Sequence, residues 1–170
     1  MTGRIFTADH HVYDLPPLLS WNVRHTGTVP CDSWSVTAVY QLEILTVLRM
    51  AAGFAAIENG TTQLRGIVDE YTVELGSRGM TVTLSGRGYA ARLLDNESRP
   101  VTYEQVTLRE LIRCHAEPYG ISCGAAADLR STVPYTAGVG ISQWKVISEF
   151  CRTYGGFLPR FAKTGELLAT

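Results

Sequence analysis

Residues 71–85 constrain the fold more than any other stretch of this chain. Tyr71, Val73 and Leu75 alternate with Thr72 and Glu74; Gly76-Ser77-Arg78-Gly79 interrupts; Met80, Val82 and Leu84 then alternate with Thr81, Thr83 and Ser85. Successive side chains of a strand point to opposite faces. Apolar residues at every second position on both sides of a short glycine-bounded loop therefore describe an antiparallel hairpin with one buried face. The first arm begins earlier, because Leu64, Ile67, Val68 and Asp69 carry the run back to Thr61 with Gly66 as its weak position. An unbroken arm of about fifteen residues would span roughly 50 Å, so a bend or bulge is expected near Gly66.

The preceding residues supply partners for this hairpin. Residues 1–14 read as a polar leader. Trp21, Val23 and His25 alternate with Asn22 and Arg24 as a first strand, residues 26–30 form a loop, and Trp34, Val36, Ala38 and Tyr40 alternate with Ser33, Ser35 and Thr37 as a second strand. Between 42 and 52 the period changes: Leu42, Leu45 and Leu48 fall at helical spacing and predict a short helix at one end of the sheet. Phe54-Ala55-Ala56-Ile57 reads as a strand that leaves through an Asn59-Gly60 turn into the long arm. At least five strands joined by short turns predict an antiparallel β-barrel-like domain over residues 15–98, since closure removes exposed edges. Residues 89–94 make a last helical turn or two.

Asn96-Glu97-Ser98-Arg99-Pro100 marks the boundary to a second domain, residues 99–170, in which the pattern becomes helical. Thr107 and Glu110 have the spacing of a capping box, in which hydroxyl and carboxylate each satisfy a free N–H at a helix start. Leu108, Leu111, Ile112 and His115 then line one face until Pro118-Tyr119-Gly120 stops the helix. A second helix starts at Ser142, carries Trp144, Ile147, Phe150, Cys151 and Tyr154 inward, and ends at Gly155-Gly156. Residues 157–162 and 166–170 flank Lys163-Thr164-Gly165 as a hairpin. The fold class is α+β: a barrel-like antiparallel first domain, then a small α/β domain of two helices plus a hairpin. A segment of about 70 residues buries only about 60% of its surface alone, so it is expected to lean on the first domain or on another chain.

Composition narrows the function classes. The 170 residues carry a net charge of −1, which argues against a dedicated nucleic-acid binder. No run of about 18 apolar residues occurs and residues 1–11 lack the apolar core of a signal peptide, so neither a membrane anchor nor self-export is expected. Cys31, Cys114, Cys123 and Cys151 show no CxxC spacing and are expected to be free thiols. Of the 15 basic residues, only Lys145 and Lys163 are lysines; interfaces enrich Arg and deplete Lys, and gene base composition produces the same skew.

Three motifs have the outline of chemistry. Gly86-Arg87-Gly88-Tyr89-Ala90-Ala91 fits a dinucleotide fingerprint, but that fingerprint needs a parallel βαβ unit, and here the strand before it is one arm of a tight antiparallel hairpin. A sharp strand-to-helix turn accounts for these glycines, and no cofactor is expected. Gly120-Ile121-Ser122-Cys123-Gly124 matches a nucleophile elbow, which requires acid and histidine to follow in chain order. His10, His11, His25 and His115 all precede Ser122. Cys114-His115, adjacent on a helix, point about 100° apart and make a poor metal pair, and His10-His11 with Asp14 is no better. Asp69, Glu70 and Glu74 form no cleft and read as a solvated or intersubunit face. No catalytic, cofactor-binding or metal-ligating residue is therefore assigned.

With no reactive constellation, the order of pieces carries the information. DSWSVTAVY, residues 32–40, is similar to an early barrel strand of the late control protein D family of phage tail and baseplate hub proteins, which includes spike-base proteins of contractile injection systems. LRGIVDEYTVELGSRGMTVTLSGRGYAARLLDNES, residues 64–98, resembles that family's outer strand, hairpin, SGRG and short helix. ISQWKVISEFCRTYGGFLPRFAKTGEL, residues 141–167, resembles its helix-then-hairpin passage. The resemblance spans nearly the whole chain and rests on residue type and order. It implies barrel-like domains assembled as a trimer in the full-length protein, with the tail tube and the tip or spike as partners, in a virion tail assembled in the bacterial cytoplasm. Family members continue past the position of Thr170, so the chain is read as an N-terminal portion.

The expected function is accordingly structural, with self-association through the long arm, residues 61–75, and the terminal strand, residues 166–170. Two alternatives belong to other classes: a hydrolase using Ser122, and a receptor- or carbohydrate-binding module stacking sugars on Trp21, Trp34 or Trp144. Trp34 and Trp144 fall in phase with buried positions, which favours a core role for both.

Overall fold

A computed structural model describes residues 1–27, 30–77 and 79–170. The chain divides into two compact units, residues Met1–Gly88 and Tyr89–Thr170. The division falls ahead of the Asn96–Pro100 stretch, and Leu93 belongs to the apolar core of the second unit.

The first unit contains β1 (Thr2–Thr7), β2 (Val12–Asp14), β3 (Leu18–Arg24), β4 (Ser33–Val39), the short helix α1 (Ile44–Arg49), β5 (Ala51–Glu58), β6 (Thr61–Gly76) and β7 (Gly79–Gly88). These seven strands form one sheet in the order β2-β1-β5-β6-β7-β4-β3, with every neighbouring pair antiparallel. The residues read as a polar leader are part of it: β1 pairs with β2 and β5, and Ile5 is fully buried. The expected closure of the sheet into a barrel does not occur among the described residues, where β2 and β3 each pair on one side only. The Asn59-Gly60 turn has positive φ at both residues, as a tight hairpin connection demands, and joins β5 to β6. The long hairpin closes where Gly76 pairs with Gly79; Arg78, expected in a turn, and Thr28 and Val29, expected in a loop, lie outside the described residues.

Ladder register sorts the sheet into two chemical faces. Val36 of β4 lies opposite Leu84 of β7, which lies opposite Tyr71 of β6, and Ala38, Val82 and Val73 form the next such row. The intervening rows are polar: Ser35, Ser85 and Glu70, then Thr37, Thr83 and Thr72. Thr37 and Thr83 share a hydroxyl hydrogen bond of 3.0 Å, and Ser85 Oγ donates to Glu70 at 3.0 Å. The apolar rows apart from Tyr71, with Ile5, Trp34, Phe54, Ala56, Leu64 and the α1 residues Ile44 and Leu48, make the core of this unit.

The bend expected near Gly66 is a register shift between Val68 and Glu70. Asp69 is the extra residue, and its carboxylate takes two hydrogen bonds from Arg87 at 2.8 and 2.9 Å. One inserted residue exchanges the faces of everything beyond it. That is why the apolar positions run Leu64, Gly66, Val68 before the bulge and Tyr71, Val73, Leu75 after it.

The second unit contains α2 (Ala90–Leu94), β8 (Val101–Tyr103), α3 (Leu108–His115), β9 (Cys123–Ala126), β10 (Tyr135–Ala137), α4 (Gln143–Gly155), β11 (Arg160–Phe161) and β12 (Leu167–Ala169), with a 3₁₀ turn at Glu117–Tyr119. The capping box at α3 is formed: Glu110 N–H donates to Thr107 Oγ1 at 3.2 Å, and Thr107 N–H donates to the Glu110 carboxylate at 2.8 Å. That backbone donor, followed by the Thr107 hydroxyl, holds the Glu110 carboxyl below its ordinary pKa. Ser142 caps α4 and Gly156, in the left-handed region, ends it. The β11–β12 hairpin is present, but β12 also pairs in parallel with β9, so the terminal strand is the centre of a three-stranded sheet rather than the exposed edge expected of it.

Candidate interaction surface

The motifs with a chemical outline are absorbed by the fold. Gly86 and Gly88 lie on β7, between β6 and β4, and both ladders are antiparallel. Gly88 lies against Asp32 and Gly86 against Trp34; the Trp34 ring stacks on Phe54 with centroids 3.7 Å apart, and its Nε1–H donates to the Ile67 carbonyl at 3.1 Å. The ladders place β7 and β6 between Trp34 on β4 and Phe54 on β5, a separation of roughly 14 Å in a flat sheet. The rings meet because the sheet coils and the Trp34 indole crosses the two intervening strands at their glycines. A side chain at Gly66 would come within 3.1 Å of Trp34 Nε1, and one at Gly86 within 2.9 Å of Trp34 Cζ2. The glycine pattern therefore makes room for an aromatic bridge within the core.

Ser122 is exposed and lies after a 3₁₀ turn and before a strand, the reverse of the strand-then-helix setting of a nucleophile elbow. His115, the histidine of the same unit, is buried with both ring nitrogens committed: Nδ1 lies 2.6 Å from Gln143 Oε1 and Nε2 lies 3.0 Å from the Tyr103 hydroxyl. Since the amide oxygen only accepts, Nδ1 carries the proton and Nε2 accepts from Tyr103. Gln143 completes the network by donating to the Glu97 carbonyl and the Tyr119 hydroxyl. This is a satisfied core cluster. Cys114 beside it is exposed, so the adjacent pair does not converge. Among the described residues no group of three or more His, Cys, Asp or Glu is placed to hold a metal ion. His11 pairs with Asp9 and Asp14 with Arg4, and His25 lies 2.8 Å from Asp32.

Of the tryptophans, Trp34 is buried, Trp144 is half-buried against Phe161, and Trp21 on β3 is 49% exposed. Trp21 lies opposite Val36, so it stands on the apolar face of the sheet at its outermost strand. Exposed apolar side chains recur at the far end of the long hairpin: Tyr71, Leu75 and Met80 are all exposed, Leu75 to 80%. The ladder between β5 and β6 ends at Phe54 and Gly66, while β6 runs on to Gly76. Beyond Gly66, β6 pairs with β7 alone, leaving one flank of its backbone without a strand partner among the described residues.

The surface of interest thus has two parts, the free flank of β6 with Tyr71, Val73 and Leu75, and the open edge β3 with Leu19, Trp21 and Val23. An unpaired strand flank presents N–H and C=O groups at a fixed repeat and recruits another strand. The period-two pattern located the first part. Nothing in local sequence marked β3 as outermost, because edge position depends on which strands pair.

No helix among the described residues is long and apolar enough to cross a membrane. No protein-family model matches the sequence. No curated protein matches it either. Two of the solved structures to which the fold is similar are tail proteins. One is the tail protein from Neisseria meningitidis MC58, with a TM-score of 0.72 and 14% identity over 98% of this chain and 50% of that one. The other is the 43 kDa tail protein of prophage MuSo2 from Shewanella oneidensis, with a TM-score of 0.67 and 15% identity over 99% of this chain and 54% of that one. The chain spans about half the length of each.

Proposed function

We propose that this chain is a structural component of a phage or prophage tail, acting at the tail tip or baseplate hub, where its β-sheet unit forms part of a ring that joins the tail tube to the tip. The observation that carries this reading is the fold shared, over essentially the whole of this chain and about half of each neighbour, with a tail protein and a prophage tail protein. The late control protein D resemblance adds the hub position, trimeric self-association in the full-length protein, and tube and spike proteins as partners. The residue chemistry is compatible with it, since Gly86 and His115 are spent on packing within their units while exposed apolar side chains gather at strand flanks unpaired among the described residues.

In a host carrying the gene, antibody labelling of released tail particles viewed by electron microscopy is expected to mark one end of the tail. Deleting the gene is expected to leave particles without a completed tip. Intact, infectious particles from the deletion strain, or particles that never contain the protein, overturn the reading.

A further inference from the structure

Three asparagines occur in this chain, Asn22, Asn59 and Asn96, and the fold holds two of them. Asn22 lies within the β3–β4 ladder opposite Ser35 and is followed by Val23, whose branched side chain crowds its own backbone nitrogen. Asn96 donates its side-chain amide to the Arg92 carbonyl at 2.7 Å, and its own carbonyl accepts from the Gln143 N–H. Asn59 differs on every count. It is exposed, its side chain has no hydrogen-bond partner among the described residues, and the next residue is Gly60.

An asparagine side chain is attacked by the nitrogen of the following residue, and glycine offers no Cβ to obstruct that approach. The surroundings add no obstruction, since nothing lies within 4 Å of where a Gly60 side chain would stand. Among the described residues the Gly60 N–H donates to no backbone carbonyl, while Glu58 and Thr61 on either side of the turn pair with each other.

The turn is also strained and weakly anchored. Asn59 has φ of 49°, a left-handed conformation that is unfavourable for a residue with a side chain. Only two ladder pairs, Glu58 with Thr61 and Ile57 with Thr62, stand between the turn and a register shift that leaves Gln63 as the extra residue. Opening those two pairs frees the turn without disturbing the rest of the sheet, and local opening of this kind costs far less than global unfolding.

We propose that Asn59-Gly60 is a modification site at which the folded chain deamidates, converting Asn59 to a mixture of aspartate and isoaspartate. When the turn opens, the Gly60 nitrogen attacks Asn59 Cγ and gives up its proton. The new C–N bond closes a succinimide ring, and the Cγ–Nδ2 bond breaks to release ammonia, which carries that proton away. Water then opens the ring at either carbonyl. One opening gives aspartate and the other isoaspartate, whose main chain runs through the former side chain. No oxidant or reductant takes part. Isoaspartate lengthens the main chain within a two-residue turn, and turn length sets hairpin register. The β5–β6 hairpin end is therefore loosened once the site has reacted. The modification depends on the turn alone and is independent of the role proposed above.

The test incubates the full, folded chain in mildly alkaline buffer at physiological temperature and maps tryptic peptides by mass spectrometry over several days. Conversion is expected at Asn59, in the peptide of residues 50–65, at least about tenfold faster than at Asn22 or Asn96, with isoaspartate among the products. The Asn59→Asp chain supplies a second readout, because it carries the new charge without the longer main chain. Faster hydrogen exchange over residues 57–62 is expected in the converted chain and not in that variant. Conversion at Asn59 no faster than at Asn22 and Asn96 overturns the proposal. So does aspartate formed without isoaspartate, which means that water rather than the Gly60 nitrogen attacked the side chain. Equal exchange in the converted chain and the Asn59→Asp chain overturns the loosening of the hairpin.

Discussion

Trp34 is the residue on which the first unit turns. Its indole can reach Phe54 only across Gly66 and Gly86, and it keeps its N–H satisfied by the Ile67 carbonyl. A methyl group at Gly86 would collide with that same carbonyl and press on the indole. Gly86→Ala is therefore expected to destabilise the protein by roughly 1–3 kcal/mol, the usual cost of overpacking. A lower urea midpoint, followed by tryptophan fluorescence, checks this; an unchanged midpoint would mean the sheet has slack that the geometry does not show. In the second unit, burial pushes the Cys151 thiol up to about 12, and burial followed by the nearby Glu149 charge pushes the Tyr135 hydroxyl to about 12. Tyr135 donates to the Val146 carbonyl at 2.6 Å, a bond only its protonated form can make. In the unfolded chain these groups lose their protons near 9 and 10. The folded state thus binds more protons than the unfolded state between pH 9 and 12, and stability is expected to fall as pH rises through that window. Thermal melts at pH 8 and 11 check the sign, and Tyr135→Phe with Cys151→Ala should flatten the dependence.

At the scale of elements, short helices depend on their ends. α3 has eight residues, too few to persist on intrinsic propensity, and its start is fixed by the reciprocal Thr107 and Glu110 bonds. Thr107→Ala is expected to cost about 1 kcal/mol, while Thr107→Ser should recover most of it; chemical denaturation of the three chains separates these outcomes. The capping box, the Ser142 cap, the Gly156 stop and the Asn59-Gly60 turn were all legible because each is a local device whose chemistry lies within a few residues. β1, β2, β8, β9 and β10 were not. Each is short, with at most six residues, and a strand of that length is decided by the ladder it joins rather than by its own pattern. β12 shows the same limit: its hairpin with β11 was readable, whereas its parallel pairing with β9 depends on a segment more than forty residues away.

For the whole molecule, the proposed role rests on strand edges. A sheet that does not close leaves flanks to be filled, and here the unfilled lengths are the far half of β6 and the whole of β3. Amides of β6 beyond Gly66 that point away from β7 are expected to exchange quickly in the isolated chain and to become protected on assembly. Hydrogen exchange on free and assembled protein measures this directly. Equal protection in both states would place the assembly contact elsewhere on the surface.

By itself, the sequence determined the α+β class, the long hairpin with its one apolar face and the helix caps, all of which follow from residue periods and short spacings. Only tertiary structure decided that the sheet stays open, that residues 1–14 belong to it, that Gly66 and Gly86 seat Trp34, and that β3 rather than β12 is an edge. The physical reason is that strand order and edge status are properties of pairings between distant segments, and local pattern carries each strand's faces but not its neighbours.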